Sequence, residues 1–136
     1  MRILLNVATA ASFLVAATMA QAGCMRCDPV YNVVDAPVTT ASGKPLTNDQ
    51  VKSAIIRAGA ALGWQMKEEG PGVLSATLFL RKHEARIEIP YSTTKYSITY
   101  KSSVNLDESA DGQIHKNYNG WIQNLNRGIT AQLSAS

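Results

Sequence analysis

The chain has few of the side chains from which metal and redox sites are usually built, since only two of its 136 residues are cysteine and only two are histidine. Two thiols fall short of the four ligands that a structural zinc ion requires. Neither His83 nor His115 lies beside a serine-nucleophile motif or a patterned acid. We therefore expect no metal, no cofactor and no catalytic residue. An alternative interpretation, a small periplasmic hydrolase or metal-dependent enzyme, would have to use His83 or His115.

Charge is sparse as well: 17% of the residues are charged, and the net charge is +3. The basic residues form no stripe, because arginine and lysine are interspersed with glutamate between positions 81 and 88. A protein that binds nucleic acid concentrates its positive charge on one face. The acids at 107–111 also lack the ligand spacing of a calcium-binding EF-hand. The sequence therefore favours neither a nucleic-acid partner nor a calcium site.

The longest apolar stretch lies at the N-terminus, from Ile3 to Ala17, and polar residues interrupt it. It is shorter than the roughly 18 to 20 residues that a transmembrane helix needs. Met1-Arg2 precedes it as a short positive region, and Ala20-Gln21-Ala22 follows as an A-x-A cleavage site. Residues 1–22 are therefore predicted to be a signal peptide, which sends the protein to the periplasm or the outer membrane.

Because of Cys24, the sequence is compatible with either a soluble or a lipid-anchored exported protein. Small residues just before a cysteine resemble the lipidation motif of bacterial lipoproteins, although Gln21 stands where that motif has an aliphatic residue. Cys24 is therefore a lipidation candidate, and any contact with a membrane is expected only through such an anchor. If both cysteines remain thiols in an oxidising compartment, Cys24 and Cys27 can instead form a short-loop disulfide. A thioredoxin-type role is not favoured, since this C-x-x-C precedes Asp28-Pro29 rather than opening a helix.

The rest of the chain divides into an extended lead-in or tether at 23–46 and a single α+β domain at 47–136. Within the lead-in, a short strand at 31–34 is one expectation. Thr47 and Gln50 have the spacing of a helix-capping box, and Gly63 stands where a helix C-terminus favours glycine. Apolar residues recur between these two signals at helical spacing, which predicts the first helix.

After Gly63 the hydrophobic period changes from 3.6 to 2, which is typical of strands with one solvated face. Alternating segments near 64–68, 73–81, 84–91 and 95–104 are separated by short turns. A closing helix is predicted from about Ile114 to Leu133, with one apolar stripe and an amide-rich opposite face. The predicted fold is a four-stranded antiparallel meander sheet with two helices packed on one face, in the order α-β-β-β-β-α.

Several short segments carry a resemblance to a known group. These segments are Tyr31-Asn32-Val33, Ala36-Pro37-Val38, Leu46-Thr47 to Gln50-Val51, Ala54-Ile55, Gly63-Trp64, Ile89-Pro90-Tyr91, Tyr96-Ser97-Ile98 and Tyr118-Asn119-Gly120-Trp121. Together they resemble a family of small proteobacterial envelope proteins usually labelled hypothetical lipoproteins. The resemblance covers most of the chain after the signal. It implies a place in the cell envelope and carries over no activity and no catalytic residue.

The sheet face opposite the helices is the preferred candidate surface. It is predicted to carry Phe79 and Val73 as a small apolar centre within a polar rim, an anatomy that protein-binding patches share. The candidate binding residues are Phe79, Arg86, Thr77, Thr99 and Lys101. The favoured function is a non-catalytic binding or assembly module whose partner is an envelope protein or a cell-wall polymer. A solvated face with one stray aromatic is the alternative, and a tyrosine- and asparagine-rich sheet edge is a second candidate surface.

Overall fold

A computed structural model describes residues 24–136 and has an α+β fold. The predicted signal peptide, residues 1–22, lies outside these described residues. The elements in chain order are β1 (Cys27–Pro29), β2 (Val33–Pro37), α1 (Asn48–Ala61), β3 (Gln65–Gly70), β4 (Val73–Leu80), β5 (His83–Pro90), β6 (Lys95–Val104), β7 (Gln113–His115) and α2 (Lys116–Ser134). Within residues 24–136, neither helix combines the length and the apolar character that crossing a membrane requires.

Helix α1 begins and ends at the residues that the sequence indicates. Thr47 is its N-cap: the Thr47 Oγ1 accepts from the Gln50 backbone N–H at 3.2 Å, and the Gln50 Oε1 accepts from the Thr47 backbone N–H at 2.9 Å. At the other end Gly63 adopts a left-handed conformation with φ of 89°. Both expected caps are therefore confirmed, and they fix the direction in which the chain enters β3.

The core lies between the sheet and the two helices. Alternate residues of β4, β5 and β6 are buried, and so is one stripe of each helix. All of them belong to one apolar cluster, so both helices cover the same face of the sheet. The helices also approach each other closely, because a Cβ built at Gly128 would lie 3.6 Å from the Ala58 Cβ. The opposite side of the sheet, here called the outer face, is not covered by any element of residues 24–136.

The main sheet has five strands in the order β2-β6-β5-β4-β3, so the prediction of four was wrong by one. The fifth strand comes from the lead-in: Val33 pairs with Ile98 and Ala36 with Tyr96, with a bulge between the two pairs. Pro37 is tolerated because β2 is an edge strand. Since Val33 and Leu46 are both buried in the core, the segment from 28 to 46 lies on the domain as part of its fold.

A second, two-stranded sheet pairs β1 with β7, and it changes where the closing helix starts. The helix was expected from Ile114, but residues 113–115 are extended and pair with 27–29. Ile114 is fully buried as a strand residue. His115 then serves as the N-cap of α2, its Nδ1 accepting from the Asn117 backbone N–H at 3.2 Å.

Candidate functional site

The outer face brings together the five residues that the sequence singled out. Thr77 and Arg86 lie directly opposite each other on β4 and β5. Thr99 lies opposite Glu88, and its Oγ1 donates to the Glu88 backbone carbonyl at 3.2 Å. Lys101 and Phe79 complete the set on β6 and β4. The cross-strand register thus makes these side chains neighbours on one surface.

The apolar centre of this face differs from the one expected. Phe79 is 55% exposed, as the patch hypothesis requires. Val73, however, lies at the other end of β4, six residues or about 20 Å away at the usual strand rise. The exposed apolar residue on the same row as Phe79 is Val104 instead: Phe79 on β4, Glu84 on β5 and Val104 on β6 lie opposite one another, with Glu84 between the two apolar residues, and Val104 is 49% exposed. The apolar centre therefore sits at the hairpin end of the face rather than in its middle.

Two ion pairs lie on the outer face, one through Glu84 of this row and the other further along β5 at Glu88. The Arg86 Nε donates to the Glu84 Oε1 at 2.6 Å, and the Lys101 Nζ lies 3.3 Å from the Glu88 Oε2. All four side chains keep some exposure, and exposed pairs of this kind contribute only about 0 to 1 kcal/mol to stability. The pairs therefore fix the positions of the charges more than they stabilise the fold, and they give the apolar row a rim of both signs.

Both histidines have structural roles. The His83 Nδ1 lies 2.7 Å from the Asn105 carbonyl oxygen, which can only accept, so this nitrogen carries the proton. The His83 ring also packs against Trp121 at a centroid distance of 6.4 Å. His115 caps α2, as described above. Across residues 24–136, no carboxylate forms a salt bridge with either ring.

The tyrosine- and asparagine-rich edge is largely occupied by internal contacts. The Asn119 side chain holds the lead-in against α2, accepting from the Tyr31 backbone N–H and donating to the Pro29 carbonyl, both at 2.9 Å. The Tyr96 hydroxyl donates to the Asn126 Oδ1. Burial raises the pKa of Tyr96. These side chains fasten the fold, which makes the edge a weaker candidate than the outer face.

A cleft of about 700 Å³ surrounds the two cysteines, which form a Cys24–Cys27 disulfide. Asp107 and His115 also line it. The Cys24 Sγ lies 3.8 Å from the Asp107 Oδ2. Sequence reasoning missed Asp107 here, because it is 83 positions from Cys24 and no local pattern links the two.

No protein-family model, no curated protein and no solved structure matches the chain.

Proposed function

We propose that this protein is an exported, non-catalytic binding module of the cell envelope, and that it docks a partner protein through the hairpin end of its outer face. The observation that carries the proposal is the row formed by Phe79, Glu84 and Val104. Two large apolar side chains are held there in a fixed sheet register, with a charged residue between them.

The distribution of exposed apolar residues argues against a single stray aromatic. Seven large apolar side chains are exposed within residues 24–136, and two of them, Phe79 and Val104, lie on the same row of the outer face. Scattered exposed apolar residues need no explanation, whereas a contiguous group rimmed by polar residues is typical of an interaction surface. The row thus supports docking better than it supports a plain solvated face.

The charges around the row indicate the kind of partner. Arg86 and Lys101 are each paired with a glutamate of this chain. A polyanion would be repelled by those two glutamates as well as attracted by the two basic residues. A protein surface with both signs of charge and a pocket for an aromatic ring complements this arrangement better, since interfaces favour an aromatic anchor with a polar rim.

The proposal of export is based on the N-terminal sequence pattern. The disulfide is relevant to whether the exported protein carries a lipid anchor. A lipid anchor would form a thioether on the Cys24 Sγ, the same atom that bonds to Cys27 in the disulfide. The two states exclude each other, so we favour a periplasmic protein without an anchor. The intact mass of protein isolated from its native host tests this: a chain that starts at Gly23, with two hydrogens fewer than the dithiol, is expected. A lipid-modified Cys24 would reject the anchor-free form, and a retained Met1 would reject export.

The docking proposal is tested by capture from native envelope extract followed by binding of the purified partner. Phe79→Ala and Arg86→Glu should each lose the partner that the wild type retains. Val34→Ala is the matched control, because Val34 is 71% exposed on the edge strand β2, away from the row. Exposed substitutions usually change stability by less than about 0.5 kcal/mol, so unfolding curves will separate lost binding from lost folding. Equal recovery of every partner by all four proteins would reject this surface.

A further inference from the structure

The cleft around the cysteines supports an inference that is independent of the outer face. We propose that the reduced protein binds one zinc ion through Cys24, Cys27 and Asp107, and that the Cys24–Cys27 disulfide closes this site. The protein would then hold zinc only when a dithiol has reduced it.

The geometry of the three side chains carries this proposal. The two Sγ atoms and a carboxylate oxygen of Asp107 all lie within 4.8 Å of one another. Around a tetrahedral zinc ion, with Zn–S near 2.3 Å and Zn–O near 2.0–2.2 Å, sulfur and oxygen ligands are separated by about 3.5 Å and two sulfurs by about 3.8 Å. The Cys24 Sγ is already 3.8 Å from the Asp107 Oδ2. Reduction lets the sulfurs separate, so a small movement completes a three-ligand set.

The loop that carries Asp107 is held in place rather than free. Leu106, the preceding residue, is 2% exposed, and its carbonyl accepts from the His115 backbone N–H at 2.8 Å. Asp107 itself adopts a left-handed conformation with φ of 54°, which aspartate tolerates better than most residues. The carboxylate is therefore positioned next to the sulfurs by the fold, across the β1–β7 ladder.

The donor set selects the metal. Two thiolates with one carboxylate suit zinc, whereas calcium and magnesium prefer oxygen ligands alone. His115 lines the cleft but is not assigned as a ligand, because its Nδ1 accepts the capping hydrogen bond and its proton is therefore on Nε2. The fourth position is left to water from the open cleft.

The chemistry balances with a dithiol as reductant. The reductant transfers two electrons and two protons to the disulfide, the bond between Cys24 Sγ and Cys27 Sγ breaks, and the reductant becomes a cyclic disulfide. Each cysteine thiol then releases its proton as its sulfur binds the metal. In the reverse direction a disulfide oxidant accepts the two electrons and two protons and becomes two thiols, while the Cys24–Cys27 disulfide re-forms and the ion is released.

The experiment compares the reduced and oxidised forms of the protein purified after export. Reductant is removed under anaerobic conditions, and Co²⁺ and then Zn²⁺ are titrated in. The reduced protein should bind one equivalent with a thiolate-to-cobalt charge-transfer band that Zn²⁺ abolishes, and the oxidised protein should show no band. Cys27→Ser should remove the band. Asp107→Asn should weaken binding at least about tenfold, since even residues outside the ligand set alter metal affinity that much.

Two variants serve as controls in the same cleft. Glu108→Gln removes a neighbouring charge, and His115→Asn removes the imidazole while asparagine preserves the N-cap. Both should bind cobalt as the wild type does, with unchanged unfolding curves. The proposal is overturned if the reduced wild type gives no band, if the oxidised form gives the same band, or if Asp107→Asn binds with wild-type affinity. It is also overturned if His115→Asn weakens binding as much as Cys27→Ser, because the ligand set would then be wrong.

Discussion

The ring of Tyr118 meets the ring of Tyr100 edge-on, with the centroids 5.5 Å apart and the planes at 87°. The two hydroxyls differ in their partners. The Tyr100 hydroxyl lies 2.8 Å from the Ser103 Oγ, whereas the Tyr118 hydroxyl is buried with no hydrogen-bond partner within residues 24–136. A buried hydroxyl without a partner keeps its desolvation cost. The contact between the two rings therefore stabilises the packing of α2 on the sheet, whereas the unpaired Tyr118 hydroxyl destabilises it.

Tyr118→Phe should leave the fold intact and raise the free energy of unfolding by about 1 kcal/mol, because it removes an unpaired buried hydroxyl and keeps the ring. Tyr96→Phe is the matched comparison. Its hydroxyl bonds to Asn126, so its loss should lower the free energy by about 1 kcal/mol. Guanidinium unfolding measures both, and equal destabilisation by the two variants would contradict the assignment of Tyr118 as unpaired.

Stability should fall at alkaline pH. Burial raises the pKa of Tyr96, Tyr100 and Tyr118 above the ordinary tyrosine value. Above about pH 10 the unfolded chain loses these protons while the folded chain retains them, so unfolding becomes easier as the pH rises. Below that pH both states are protonated and this contribution to stability is complete.

The alkaline effect can be assigned by comparing variants. A hydrogen bond to Glu68 raises the pKa of Lys52. Lys52 therefore also contributes to the loss of stability at alkaline pH. Unfolding free energies measured on both sides of about pH 10 should fall less steeply for Tyr118→Phe than for the wild type. Identical slopes would mean that Tyr118 ionises as easily in the folded chain as in the unfolded one.

Local signals in the sequence were enough to predict the elements that depend on local physics. The capping box at Thr47, the left-handed Gly63 and the alternation of β4 and β5 each arise within a few residues, and the structure has all three. Strand β2 was not predicted as part of the sheet, because its partner β6 lies about 60 residues further along the chain. Strands β1 and β7 are three residues each, which is too short for a hydrophobic alternation to be recognised in the sequence.

The outer face also depends on strand register that the local sequence does not predict. Strict alternation in β6 from Tyr96 and Ile98 would turn Val104 toward the core. The register shifts between Arg86 and Ile87, leaving Lys101 as an extra residue and placing Val104 on the outer face. A bulge reverses the sidedness of every residue after it. No residue in 95–104 indicates this bulge, so the sequence could not predict that Phe79 and Val104 lie on one row of the outer face.

Leu125→Ala should lower the free energy of unfolding by about 2–5 kcal/mol, because Leu125 is fully buried between α2 and the sheet. Leu62→Ala removes the same atoms from a residue that is 43% exposed and should cost less. Denaturant unfolding of both variants checks the docking of the closing helix. A loss below about 0.5 kcal/mol for Leu125→Ala would show that α2 is not packed as described.

Two glycine-to-alanine substitutions should have opposite effects, because the two glycines have different backbone conformations. Gly63 ends α1 in a Schellman motif: the Trp64 N–H donates to the Gly59 carbonyl at 2.9 Å and the Gly63 N–H to the Ala60 carbonyl at 3.1 Å. Its φ of 89° places an added Cβ in the left-handed region, so Gly63→Ala should lower the free energy of unfolding by about 1–2 kcal/mol. Gly120 lies inside α2, and a Cβ there meets nothing within 4 Å.

Gly120→Ala should therefore raise the free energy of unfolding by about 0.5–1 kcal/mol, the usual advantage of alanine over glycine inside a helix. Gly63→Asn provides a further check, since asparagine adopts the left-handed conformation more readily than alanine and should recover part of the loss. Thermal and denaturant unfolding of the three variants should rank them Gly120→Ala, Gly63→Asn, Gly63→Ala from most to least stable. If Gly63→Ala equals the wild type, the left-handed turn after α1 is not what directs the chain into β3.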